Sequence, residues 1–166
     1  ADYAKYLGLP LTLETGIDLI LNLELQGGFI GIFHAMSELD IEHFLQHPNT
    51  MIDSDGDLLH FGEGHPHPRC YGAFPKVLGH YVRDKKIIHL ENAIKKMTFL
   101  PSEKIGIKDR GRILKGTFAD LVIFDLATIK DNSTYTDPHH FPSGIKYVLI
   151  NGEMVLENEK LTGKKP

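Results

Sequence analysis

Between residues 29 and 52 two short apolar runs, FIGIF and TMI, flank one amphipathic segment. A continuous apolar run of this kind is the signature of a strand buried on both faces. The segment between them opens at Ser37, carries Asp40 in a capping-box-like position and sets Ile41, Phe44 and Leu45 on one face. It has to end near His47, because the residue before Pro48 avoids helical geometry. Strand, helix and strand with short links make a βαβ unit, so the first half reads as parallel α/β.

The flanks fill in around that unit. Residues 13–26, LETGIDLILNLELQ, predict a mostly buried helix stopped by Gly27 and Gly28. Residues 56–75 are rich in proline and glycine and read as a long loop, a kind that is usually functional or disordered. FPKVLGHYVRD then predicts a helix. His89 to Met97 predicts another, with Leu90, Ala93, Ile94 and Met97 on one face. Pro101 opens a short turn closing at Gly106. From about Lys108 the texture changes: RGRILKGTFADLVIFD leads into a strand at LVIF, and GIKYVLINGEMVLENEKL is a hairpin turning on Asn151-Gly152.

The chain has 166 residues, 42% hydrophobic and 24% charged, an ordinary balance for a soluble globular protein. A net charge of -4 without a basic stripe argues against nucleic acid as a partner. Cys70 is the single cysteine, which excludes an internal disulfide and suits a reducing, cytoplasmic setting. No apolar run approaches the ~20 residues of a membrane span, and no signal peptide is visible, so no membrane association is expected.

Two clusters carry chemistry. Asp53, Ser54, Asp55 and Gly56 follow the TMI run, and in parallel α/β folds the carboxyl ends of strands form the active-site face. The same residues also suit an ordinary turn capped by Asp53. A calcium loop would need glycine and glutamate where this chain has Leu58 and Gly64, so that reading fails. A haloacid-dehalogenase-type phosphatase would use Asp53 as nucleophile and Asp55 as acid, but it also needs a downstream acidic pair that is not found.

The second cluster is His65-Pro66-His67, preceding Pro68 and Arg69. Histidines two apart face one side of a strand and could share a zinc ion. The interleaved prolines argue against a central strand, so a rigid loop shaping a pocket is the better reading. Arg69 is a candidate to clamp a substrate carboxylate, because guanidinium binds carboxylate in a bidentate way. An ordinary surface ion pair is the plain alternative.

In order along the chain, MIDSDG, PHPRCYGAFPKVLGHYVRD, LENAIKKMTFLPSEKIGIKDRGRILKGTFADLVIFD and GIKYVLINGEMV resemble the C-terminal part of D-aminoacylases. These are N-acyl-D-amino-acid deacylases of the amidohydrolase superfamily. The resemblance runs over nearly the whole chain yet matches only the last part of a family member. It implies the last βα units of a (β/α)8 TIM-type barrel in residues 1–107, with FIGIF and TMI as strands seven and eight. Residues 108–166 would be a β-rich segment of a small β-sandwich domain. It implies a zinc-dependent amide hydrolase in which Asp55 takes a proton from the attacking water and returns it to the leaving amine. The family usually has glycine where this chain has Asp53. The resemblance places the main zinc ligands upstream, so no metal ligand is assigned within this chain, which is expected to be inactive alone. A second copy could cover exposed barrel edges. A non-catalytic scaffold retaining the barrel's last elements is the alternative of a different class.

Overall fold

Helices come first and a small antiparallel sheet last. The structure is a computed structural model describing residues 2–29, 31–32 and 35–166. It divides into two compact units, Ala1–Ala35 and Met36–Pro166.

The first unit holds α1 (Asp2–Tyr6) and α2 (Leu13–Leu25). Thr12 caps α2 by accepting the Thr15 backbone N–H at 3.1 Å, and the chain leaves the helix through Gly27 and Gly28 at positive φ. The helix is where its sequence places it, but none of its residues is buried. Leu13 and Leu25 are more than four-fifths exposed, at 82% and 86%. Among the described residues its apolar faces are therefore covered only in part. Phe29, Gly31 and Ile32 of the expected FIGIF strand are not in a strand, and Ile30 and Phe33 lie outside the described residues.

In the second unit α3 (Glu38–Gln46) ends at His47, as Pro48 requires. TMI at 50–52 is not a strand. A parallel strand needs hydrogen-bonding neighbours; here the Ile52 N–H goes instead to the Lys96 carbonyl at 3.0 Å. The expected βαβ unit is thus absent among the described residues, whose one sheet is antiparallel.

The expected 56–75 loop is shorter than its composition suggests, because α4 (Arg69–Lys76) begins within it. Pro75 sits inside that helix, and the chain continues directly as a π-helical stretch, Val77–Asp84. Proline has no N–H to offer the ladder and its ring crowds the preceding turn, and a wider turn is a usual accommodation. Then follow α5 (Leu90–Met97) and α6 (Phe99–Ile105), the latter closed by Gly106 in the left-handed conformation.

The core gathers Leu45, Val77, Leu78, Tyr81, Val82, Ile88, Ala93 and Ile129. Lys96 is buried among them, and its ammonium binds the carbonyls of His47 and Thr50, satisfying the end of α3. Burial, and next the hydrogen bond to Glu38, push the Tyr81 phenol up to about 12. The folded protein therefore holds this proton more tightly than an unfolded chain, whose tyrosines titrate near ~10. That contribution is complete below about pH 10 and is lost as pH rises toward about 12, on the order of 2 kcal/mol. Urea midpoints followed across this alkaline range should fall in the wild type, and Tyr81→Phe should show a shallower fall.

The sheet runs β1 (Leu121–Phe124), β2 (Ile145–Ile150), β3 (Glu153–Glu157) and β4 (Lys160–Leu161), in that spatial order. Ile150 faces Glu153 across a two-residue turn, with Asn151 at φ 52° and Gly152 at φ 83°, as a type I′ hairpin requires. The turn is stapled from outside. Asp120 accepts the Asn151 N–H at 2.8 Å and pairs with Arg110, whose other Nη donates to the Asn151 side chain at 2.7 Å. The Asn151 hydrogen bond, then Arg110, hold the Asp120 carboxyl below its usual value.

Candidate functional site

The acid cluster and the proline-ribbed loop meet at the start of α4. Asp55 stands at φ 45°, an uncommon conformation for a residue with a Cβ. Asp53 supports it, since its Oδ1 accepts the Asp55 N–H at 2.5 Å, and Ser54 Oγ accepts the Gly56 N–H at 3.3 Å. These short side-chain bonds turn the chain so that the Asp55 carboxylate points outward and stays 78% exposed. Gly56 allows this turn to lie against α4, because a Cβ there would come to 3.0 Å from the Cys70 Cα.

Arg69, the first residue of α4, holds Asp55 at two points. Its Nε donates to the Asp55 carbonyl at 2.6 Å, and its Nη2 lies 2.6 Å from Oδ2. The two residues proposed from sequence are therefore brought together, fourteen positions apart. Asp55 and Arg69 both face solvent, which leaves this corner open to a ligand.

The histidines do something other than pair around a metal. His67 Nδ1 accepts the Arg69 N–H at 3.0 Å, satisfying a free donor at the start of α4. Burial, then the positive charges of Arg69 and Lys76, lower the His67 pKa, which keeps that nitrogen an acceptor. Its ring meets the Tyr135 ring edge-on at 5.1 Å between centroids. His65 Nε2 instead bonds the Tyr135 carbonyl at 2.7 Å. Pro66 and Pro68, on either side of His67, are buried. This is the rigid loop that the prolines predict.

Residues that sequence reasoning passed over complete the neighbourhood. His139 bonds Gly62, Gly64 and Tyr71, and it sits among Phe61, Tyr71 and Phe141, with Phe61 stacked on Phe141 at 4.8 Å. The only sequence signal was a second Pro-His pair, Pro138-His139, far along the chain from the first.

Among the described residues no group of three or more His, Cys, Asp or Glu side chains could hold a metal ion. A catalytic zinc takes three protein ligands and a water. Asp55 offers one carboxylate already paired with Arg69, so these residues do not fit a zinc site by themselves. Nor does any helix reach the length and apolarity needed to cross a membrane, among the described residues.

Comparison with known proteins gives this corner a context. The amidohydrolase family model matches residues 40–156. The D-aminoacylase of Alcaligenes xylosoxydans xylosoxydans is 44% identical over 133 residues, covering 80% of this chain and 27% of that protein. The N-acyl-D-glutamate deacylase of the same organism is 43% identical over 121 residues, 73% of this chain and 24% of its own length. A crystal structure of D-aminoacylase superimposes with a TM-score of 0.72 at 45% identity, over 78% of this chain and 27% of that one. That of N-acyl-D-glutamate deacylase from Bordetella bronchiseptica, complexed with zinc and a phosphonate mimic of the tetrahedral intermediate, gives 0.67 at 40%, over 72% and 25%. The chain spans about a quarter of the length of the curated relatives it matches.

Proposed function

Because this chain belongs to the amidohydrolase family, as a D-aminoacylase-like member, we propose that it is the C-terminal portion of a zinc-dependent N-acyl-D-amino-acid deacylase. In that reading residues 1–107 belong to a (β/α)8 barrel and residues 108–166 to a β-sandwich domain. In the same reading the zinc ligands come from the rest of the protein. The apolar side chains left open on α2 and on β1, where Val122 and Ile123 are 55% and 52% exposed, are covered by the remaining chain or by a second copy.

The observation that carries the reading is the Asp55–Arg69 pair, which lies within the residues that the amidohydrolase family model matches. Asp55 takes a proton from the water attacking the amide carbonyl and passes it to the leaving nitrogen. An exposed carboxylate held by one oxygen keeps the other available for that exchange. Arg69 binds the carboxylate of the acyl-amino acid, exchanging its partner Asp55 for the substrate. The phosphatase alternative is left without support, since residues 40–156 match the amidohydrolase family model.

The test is direct. The intact protein, loaded with zinc, should release free D-amino acid from N-acyl-D-amino acids, and the 166-residue chain alone should not. Activity from the short chain would refute the assignment of essential groups to the rest of the protein. An intact protein without activity or bound zinc would favour the scaffold alternative. Arg69→Ala in the intact protein should raise KM by about 10- to 100-fold, the loss of a charged hydrogen bond of roughly 1.5–3 kcal/mol. Unchanged kinetics would remove Arg69 from the site.

A further inference from the structure

The imidazole of His139 is bonded on both of its nitrogens to groups that flank Arg69. Nε2 lies 3.1 Å from the Gly64 carbonyl, while Nδ1 lies 3.2 Å from the Gly62 N and 2.9 Å from the Tyr71 hydroxyl. A carbonyl can only accept and a backbone N–H can only donate. The ring is therefore neutral with its proton on Nε2, and the Tyr71 hydroxyl joins Gly62 in donating to Nδ1. Gly62 and Gly64 precede Arg69 in the loop, and Tyr71 follows it on α4. One side chain, from a segment some seventy residues away, thus gathers both approaches to the guanidinium.

The link onward is stiff. From Gly64 the chain passes His65, held by the Tyr135 carbonyl at 2.7 Å, and then the buried Pro66 and Pro68 with His67 between them. Proline fixes φ at residues 66 and 68, which removes two of the torsions that could absorb a displacement at Gly64. His67 fixes the Arg69 backbone, and Arg69 fixes Asp55.

We propose that His139 is a positioning residue for the Asp55–Arg69 pair, acting as a two-sided clamp on the loop and helix that carry Arg69. This rests on the deacylase reading for its kinetic consequence but not for the clamp itself. In the intact protein His139→Ala should lower kcat/KM by about 10- to 100-fold, as expected when a substrate-holding group shifts by about an ångström. KM should rise, and bound zinc should be unchanged. Hydrogen exchange should quicken across residues 60–69 while the buried turns from Val77 to Val82 keep their protection. His140→Ala removes a neighbouring imidazole that, among the described residues, bonds Asp137 through its ring, and it should leave both readouts as in the wild type.

The clamp is overturned if exchange at residues 60–69 is unaffected in His139→Ala. The positioning role is overturned if exchange quickens but kcat and KM stay as in the wild type. Should His139→Ala fail to fold, ¹⁵N NMR of histidine-labelled wild-type protein decides. A proton on Nε2 supports the clamp, and an Nδ1-protonated or doubly protonated ring overturns it. A wild-type protein that folds and exchanges as described but hydrolyses no N-acyl-D-amino acid would sink the deacylase reading and leave the clamp to the exchange result.

Discussion

Asp55→Asn in the intact protein should lower kcat for N-acyl-D-amino acids by about 10²- to 10⁴-fold, the usual range for loss of a general acid–base group. Asparagine has the same shape and keeps an oxygen that Arg69 can grip. It cannot take up a proton, so the loss isolates proton transfer from architecture. KM and bound zinc should change little. Asp53→Asn is the companion measurement. Asp53 is engaged in accepting the Asp55 N–H at 2.5 Å, a task that an amide oxygen also performs, so activity should survive. If Asp55→Asn remains active and Asp53→Asn does not, the shuttle is Asp53.

Gly144→Ala should strongly destabilise the fold. Gly144 sits at φ +85°, and a Cβ there would lie 2.5 Å from the Ile129 backbone N and Cα. Ile129 is only 1% exposed and belongs to the core, so it has no room to retreat. A left-handed residue with a Cβ costs about 1–2 kcal/mol. Overpacking adds about 1–3 kcal/mol. The urea midpoint of the intact protein should drop accordingly, by roughly 2–5 kcal/mol in stability. Gly106→Ala is the control, at φ +80° with nothing within 4 Å of the added methyl, and should show the smaller conformational cost alone. Equal losses in the two would mean that the close approach to Ile129 is not what demands glycine.

These two positions also show what could be read in advance. The Asp55 assignment came from a short local string, DSDG, and from family resemblance. Gly144 had no local mark of its importance, because the atoms that exclude a side chain there belong to Ile129. The same division runs through the fold. Ser37, His47 and Pro48 marked the bounds of the helix now seen at Glu38–Gln46, although Ser37 makes no side-chain capping bond there, and Asn151-Gly152 marked the hairpin, since turn chemistry and the proline restriction act within a few residues. FIGIF and TMI misled, because an apolar run records a demand for burial and says nothing about which chain supplies the neighbours. FPKVLGHYVRD predicts a helix beginning at Phe74, yet the helix starts at Arg69 and widens after Pro75.

Sequence alone determined the family, the helices at Glu38–Gln46 and Leu90–Met97 and the turn between β2 and β3. Each of these rests on bonds between near neighbours or on a string shared with relatives. The tertiary structure decided what the histidines are for. His65 and His67 read from sequence as a rigid loop, with a zinc pair as the alternative, and His139 has no reading at all; the fold turns the three on a loop carbonyl, a helix N–H and a trio of groups around Arg69. A hydrogen bond across seventy residues depends on the distance between two loops, and that distance is set by the packing beneath them.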